Sequence, residues 1–176
     1  VYTLNSSESL RREYTFLAAD FRSDYSFDTA AAFFQLDSSL SEKLTLETGL
    51  RVERRDTTYR DTERLGFSPA ETLWGGRIAA KYLMNSNIMT YVSIARGYKA
   101  GGFNTDGTLD TDLREFGEEF LIEYELGMKS NLFENKLHLK AAVFHDDRHE
   151  QQVKSSTGRI RANGSTEFVD FIGNAA

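Results

Sequence analysis

Leu44-Thr45-Leu46-Glu47-Thr48-Gly49-Leu50-Arg51-Val52-Glu53 alternates apolar with polar or small residues at nearly every step. A period of two belongs to an extended strand, whose successive side chains point to opposite faces, so this stretch predicts a strand with one greasy and one polar face. The pattern returns downstream. Phe120, Ile122, Tyr124, Leu126, Met128 and Leu132 stand against Glu123, Glu125, Gly127, Lys129 and Asn131. Leu137, Leu139, Ala141 and Val143 stand against His138 and Lys140, with Phe144 interrupting the polar side. Weaker versions appear at Ala30, Ala32, Phe34 and Leu36, at Ile78, Ala80, Tyr82 and Met84, and at Ile88, Thr90, Val92 and Ile94. With a first strand over residues 13–21 and a last from Thr166 onward, the chain holds about eight strands. A short helix over residues 114–120 is the competing local reading.

The connections sharpen the fold class. Ser41-Glu42-Lys43, Asn85-Ser86-Asn87 and Phe133-Glu134-Asn135 are short turns,. Long polar loops are expected over residues 56–72, 99–117 and 154–165. Short and long connections alternate, so an up-and-down meander trims one end and elaborates the other. Outer-membrane barrels have that asymmetry, with short periplasmic turns and long extracellular loops. Residues 118–133 and 137–153 exceed the roughly 9–11 residues that cross a bilayer. The excess lies next to the long loops, which predicts strands projecting beyond the membrane on that side. The expected fold is therefore all-β: an antiparallel, up-and-down transmembrane β-barrel segment. A small complete eight-stranded barrel with a structural or adhesive role, and a soluble antiparallel ligand-binding domain, are the alternatives.

Composition narrows the function classes. The chain has 176 residues, with 27 Asp+Glu against 21 Lys+Arg, which is a poor footprint for nucleic acid,. It has no Cys, hence no disulfide framework and no thiolate metal site,. No apolar run is long enough for a transmembrane helix, and bulk hydropathy misses barrel strands in any case. The start at Val1 and the end at Ala176 lead to the expectation of an internal segment of a longer protein.

Tyr91-Val92-Ser93-Ile94-Ala95-Arg96-Gly97-Tyr98-Lys99-Ala100-Gly101-Gly102-Phe103-Asn104 resembles the R-G-Y-K-x-G-G-F-N signature of TonB-dependent receptors, in which a strand leads into an extracellular loop. Tyr124-Glu125-Leu126-Gly127-Met128-Lys129-Ser130 is similar to that family's Y-E-x-G-x-K element. Residues 137–144 are similar to its A-x-F strand, and Gly49-Leu50-Arg51-Val52-Glu53 to its G-x-R-Y-x segment, with Val52 in place of the aromatic. The resemblance implies a 22-stranded barrel filled by an N-terminal plug. It also implies the outer membrane as location, membrane lipids around the wall, and transport driven by the inner-membrane TonB complex through the plug. On this reading residues 1–176 are a partial barrel domain, with the plug absent from this chain. The implied ligand is a small molecule, most commonly an iron–siderophore chelate, with other scarce nutrients open.

Arg96, Tyr98, Lys99, Phe103 and Asn104 are the candidate ligand-binding residues at the rim and loop. Gly97, Gly101 and Gly102 would free the backbone there. The positive charge of Arg96 and Lys99 suits an anionic chelate, while pairing with strand carboxylates is the plainer alternative. Arg51, Glu123, Glu125 and Lys129 are the expected lumen-facing polar residues. Other constellations carry less. His145 and His149 are four apart in an expected strand, a gap of roughly 13 Å that one ion does not bridge. Residues 104–112 are acidic but lack the spacing of a calcium loop. Asn163-Gly164-Ser165 is first a turn former. No phosphate loop, nucleophile elbow or catalytic constellation is present. No enzyme activity, cofactor, metal site or nucleic-acid partner is expected.

Overall fold

The computed structural model describes residues 2–4, 10–12, 22–62, 65–161 and 163–175. The expected first strand, residues 13–21, lies outside them. β1 (Tyr2–Leu4) and β2 (Leu10–Arg12) form a small antiparallel pair. The body is one antiparallel sheet built from β3 (Ser23–Ser39), β4 (Leu44–Asp61), β6 (Ala70–Asn85), β7 (Ile88–Lys99), β10 (Glu119–Leu132) and β11 (Leu137–His149). Its strand order is β11-β10-β7-β6-β4-β3, with the short β5 (Gly66–Phe67) added to β4. Long strands therefore neighbour each other in chain order, as a meander requires. Among the described residues the sheet does not close: β3 and β11 are its two ends. The described residues thus do not form a complete small barrel.

Two further hairpins sit beyond the sheet. β8 (Gly102–Phe103) pairs with β9 (Glu115–Phe116), with a 3-10 turn at Thr111–Leu113 between them. β12 (Gln151–Ile160) pairs with β13 (Thr166–Ala175).

Three expectations need correction. Residues 154–165 are mostly strand, and the turn there is confined to the segment joining β12 to β13. β11 does not run on to Val153; Glu150, at φ 52, interrupts it before β12 begins. The loop over residues 56–72 shrinks, because β4 continues to Asp61 and β6 starts at Ala70. The first and third share a cause. Charged and small residues in these stretches mask the alternation, yet the backbone ladder accepts any residue but proline. Residues 114–120 hold strand rather than helix, apart from the single turn ahead of them. The short turns stand as expected, and Phe133, Glu134 and Asn135 all take positive φ to make theirs.

Register aligns the greasy positions into rows. Leu46, Ala80, Val92, Leu126 and Val143 are consecutive cross-strand partners across five strands. Thr48, Ile78, Ile94, Tyr124 and His145 form the next row. These side chains are not packed inside protein: Leu126 is 56% exposed and Val143 69%. A whole sheet face of exposed apolar residues is unsustainable in water and natural in lipid. The strands of 12 to 18 residues in β4, β6 and β7 also outreach the roughly 9–11 that suffice for a bilayer,. No helix among the described residues is long and apolar enough to cross a membrane.

Candidate functional site

The opposite face of the sheet is charged, and several of its charges are tied in pairs. Glu47 bridges Lys81 and Arg77. Arg51 binds Glu53 at 2.6 Å, and the Tyr98 hydroxyl joins both, 3.1 Å from Glu53 and 3.1 Å from the Arg51 Nε. Glu123 and Glu125 are half-buried on this face, opposite Ala95 and Ser93. Lys129 places its ammonium 5.4 Å from the Tyr91 ring centre. The expected lumen residues Arg51, Glu123, Glu125 and Lys129 therefore share one polar surface.

The five rim candidates do not form one cluster. Arg96 pairs in register with Gly76 and Ile122, on the apolar face. Its guanidinium lies 4.3 Å from the Trp74 ring and 4.3 Å from the Phe120 ring. Tyr98 has the same parity but turns to the polar face, where Arg51 and Glu53 hold its hydroxyl. It can do so because the β6–β7 ladder ends at Gly76↔Arg96. Lys99 closes β7 and is exposed.

Phe103 and Asn104 fasten the loop. Phe103 stacks on Tyr59 at 5.1 Å and on Phe67 at 5.5 Å, and meets Tyr25 edge-on at 6.0 Å. Asn104 is 8% exposed. Its amide donates to the carbonyls of Leu113 and Ile172 and accepts from the Ile172 N–H. None of Gly97, Gly101 and Gly102 takes a positive φ; Gly101 matters instead because a Cβ there would come 2.5 Å from the Phe116 carbonyl.

Residues that the alternation pattern hides complete the rim. Arg114 is fully buried and donates to the Tyr59 hydroxyl at 2.5 Å, to Asp61 at 2.6 Å and to the Asn104 carbonyl at 3.0 Å. Burial alone would push the Asp61 carboxyl up, but donation from the Leu65 N–H, Arg114 and Tyr59 outweighs it and holds the group below its ordinary range,. Two more amides tie the β12–β13 hairpin to the loop. Gln152 donates to the carbonyls of Ala100 and Gly117, each at 2.9 Å. Asn174 receives the Gly117 N–H at 2.7 Å and donates to the Glu150 carbonyl at 2.8 Å.

An aromatic platform also escaped the sequence reading. Tyr25 and Phe27 lie 5.9 Å apart on β3, both well exposed. Arg55 sits 4.3 Å over the Phe27 ring and donates to the Tyr25 hydroxyl at 2.5 Å. The signal was present as alternation through Tyr25, Phe27, Thr29 and Ala31, but masked by aromatics at both Phe33 and Phe34.

Elsewhere, His145 stacks on Tyr124 and His149 on Phe120, each on its own partner. Asn163 accepts from the N–H and hydroxyl of Ser165 and Gly164 takes φ 81, the turn expected of Asn-Gly. Asp106 accepts from the Thr108 N–H and hydroxyl rather than holding an open cage.

An open antiparallel sheet with one greasy and one charged face agrees with what known proteins show. The profile described as TonB dependent receptor-like, beta-barrel, matches residues 2–174.

The chain belongs to the TonB-dependent receptor β-barrel family.

A pesticin receptor of Yersinia pestis is 25% identical over 98% of this chain, which spans 27% of that receptor's length. The ferric yersiniabactin uptake receptor of Yersinia pestis superposes with a TM-score of 0.64 at 24% identity, covering 78% of this chain and 24% of that one. The ferric-catecholate import receptor of E. coli superposes with a TM-score of 0.62 at 16% identity, covering 82% of this chain and 24% of that one. For a TonB-dependent receptor wall, the apolar rows face outer-membrane lipid.

Proposed function

We propose that residues 1–176 form part of the wall and outer rim of a TonB-dependent receptor that captures a ferric siderophore and passes it inward. The observation that carries this is the family match over residues 2–174 on a sheet with one lipid-facing and one charged face. The solved relatives named above, a ferric yersiniabactin uptake receptor and a ferric-catecholate import receptor, suggest the ligand class. Because this chain spans about a quarter of its relatives' length, plug movement and coupling to the TonB complex are assigned to other parts of the full-length receptor. The role is one of binding and passage, with no catalytic step.

The ligand contacts assigned to this chain are Tyr25, Phe27 and Arg55, with Tyr98 and Lys99 on the same side of the wall. Exposed rings carrying a guanidinium suit an anionic, aromatic chelate through stacking and charge. Phe103 and Asn104 serve by holding the loop in place.

The test is binding and uptake of ferric yersiniabactin and of a ferric catecholate by iron-starved cells producing the full-length receptor. Phe27→Ala combined with Arg55→Gln should weaken binding roughly tenfold or more at unchanged surface abundance. Unchanged uptake of a chelate that the parent receptor imports would retire the platform. Failure of the parent receptor to take up any ferric siderophore would retire the ligand class.

A further inference from the structure

The outward face carries one feature that a purely apolar wall would lack. Across β4, β6, β7 and β10 a groove of about 430 Å³ runs over Leu50, Ile78, Ile94, Ile122 and Tyr124. Its floor opens at Gly76, where a Cβ would come 2.7 Å from the Gly49 carbonyl, so no larger residue fits there and the groove stays unfilled. Arg96 lines one end of it, held between the rings of Trp74 and Phe120 and donating to the Trp74 carbonyl.

Among the described residues, no carboxylate lies within ion-pair distance of Arg96. The other charges on this outward surface are engaged or distant. Arg54 pairs with Asp56 at 3.2 Å, and His149 with Asp147 at 3.3 Å. Asp147 is two strands away in register, roughly 10 Å,. The height is also informative. Below Arg96 along β7 come Ile94 and Val92; on β4, beyond Leu50 and Val52, come Arg54 and Asp56. Arg96 thus stands where the apolar belt gives way to charge, flanked by the aromatic rings that mark membrane–water interfaces.

A guanidinium carries five donors in a rigid fork that matches phosphate oxygens. Stacked rings hold it in place and leave its edge for an anion. We propose that Arg96 and the groove below it bind a phosphate-bearing lipid of the outer leaflet, the phosphate on the guanidinium and an acyl chain in the groove. Neither half suffices alone: the apolar lining offers no seat for a phosphate, and the guanidinium offers no seat for an acyl chain.

The test uses the full-length receptor, stripped of lipid in detergent and titrated with bis-phosphorylated lipid A, with bound lipid counted by native mass spectrometry. The parent should retain one more lipid A per receptor than Arg96→Gln, whose affinity for that last lipid should fall roughly tenfold. Arg96→Lys should recover part of it, and heat-modifiable gel mobility should show that each variant is folded. Dephosphorylated lipid A should bind like Arg96→Gln does. Equal lipid retention by parent and Arg96→Gln overturns the site. So does equal binding of the dephosphorylated lipid, which would leave only a greasy groove. Competition by inorganic phosphate alone would mean a free-anion site and would also overturn the lipid assignment. Arg96 has no part in the proposed chelate platform, so loss of siderophore uptake does not bear on this result.

Discussion

The belt and the rim of this wall obey opposite rules. In the belt, the apolar face stays open, with Val143 69% and Leu126 56% exposed. Cohesion there comes from the backbone ladders, which satisfy each N–H and C=O between neighbours, and from the lipid that covers the apolar rows. At the rim the same strands have outrun the membrane, and water offers no apolar cover. There the protein makes a core of its own. Tyr59, Leu73 and Arg114 are its largest fully buried side chains, and three amides, Asn104, Gln152 and Asn174, stitch loop to hairpin. One half of the sheet is stabilised by its solvent, the other by its own side chains.

The sharpest way to break this contrast is at Arg114. Arg114→Met in the full-length receptor removes the cation from beside the buried Asp61, an interaction whose disruption costs about 3–5 kcal/mol. The rim alone should loosen: proteolysis should cut within residues 104–112, while the heat-modifiable mobility of the barrel stays unchanged. A simultaneous collapse of the barrel would show that belt and rim are one cooperative unit.

Next in size is a charge on the lipid face. Leu126→Arg should cost about 2–4 kcal/mol near the bilayer midplane, whereas Lys129→Gln, on the polar face of the same strand, should stay within about 0.5 kcal/mol. Urea unfolding in liposomes measures both, and equal costs would contradict the assignment of the two faces.

The smallest expected effect is at Asp106, in the loop. The Thr108 hydroxyl, and then its N–H, hold the Asp106 carboxyl below the usual carboxylate range. A lowered carboxyl contributes at pH values above the ordinary range, and the contribution fades as pH falls through the lowered value. Protection of the Thr108 amide, its exchange rate relative to the intrinsic rate at each pH, should therefore fall between pH 7 and pH 3, without change in the belt. Unchanged protection would remove Asp106 from the loop's supports.

How much was legible follows the same division. Wherever lipid requires one face to be apolar, the requirement is written at every second position, as in Leu44 to Val52 and Phe120 to Met128. Those strands, their turns and the family resemblance could be read directly. Beyond the belt the requirement lapses. β12 has only scattered apolar residues, and its strand character appears in its pairing with β13. Arg114 looks like any charge in an acidic loop until Tyr59 and Asp61 enclose it. The rim candidates show the limit most plainly. Arg96, Tyr98 and Asn104 fall within one motif, yet one faces lipid, one turns inward and one is buried as a clamp.

By itself the sequence determined the class of the fold, the two chemically distinct faces, the alternation of short and long connections between β3 and β11 and the membership of a receptor family, because period-two alternation and local turn chemistry act between residues close in the chain. The tertiary structure decided which side of the wall each rim residue serves, how the loop is clamped, and that the sheet stays open among the described residues. Those outcomes depend on contacts between residues far apart in the chain, such as Arg114 with Asp61 and Asn104 with Ile172, and no local pattern specifies them.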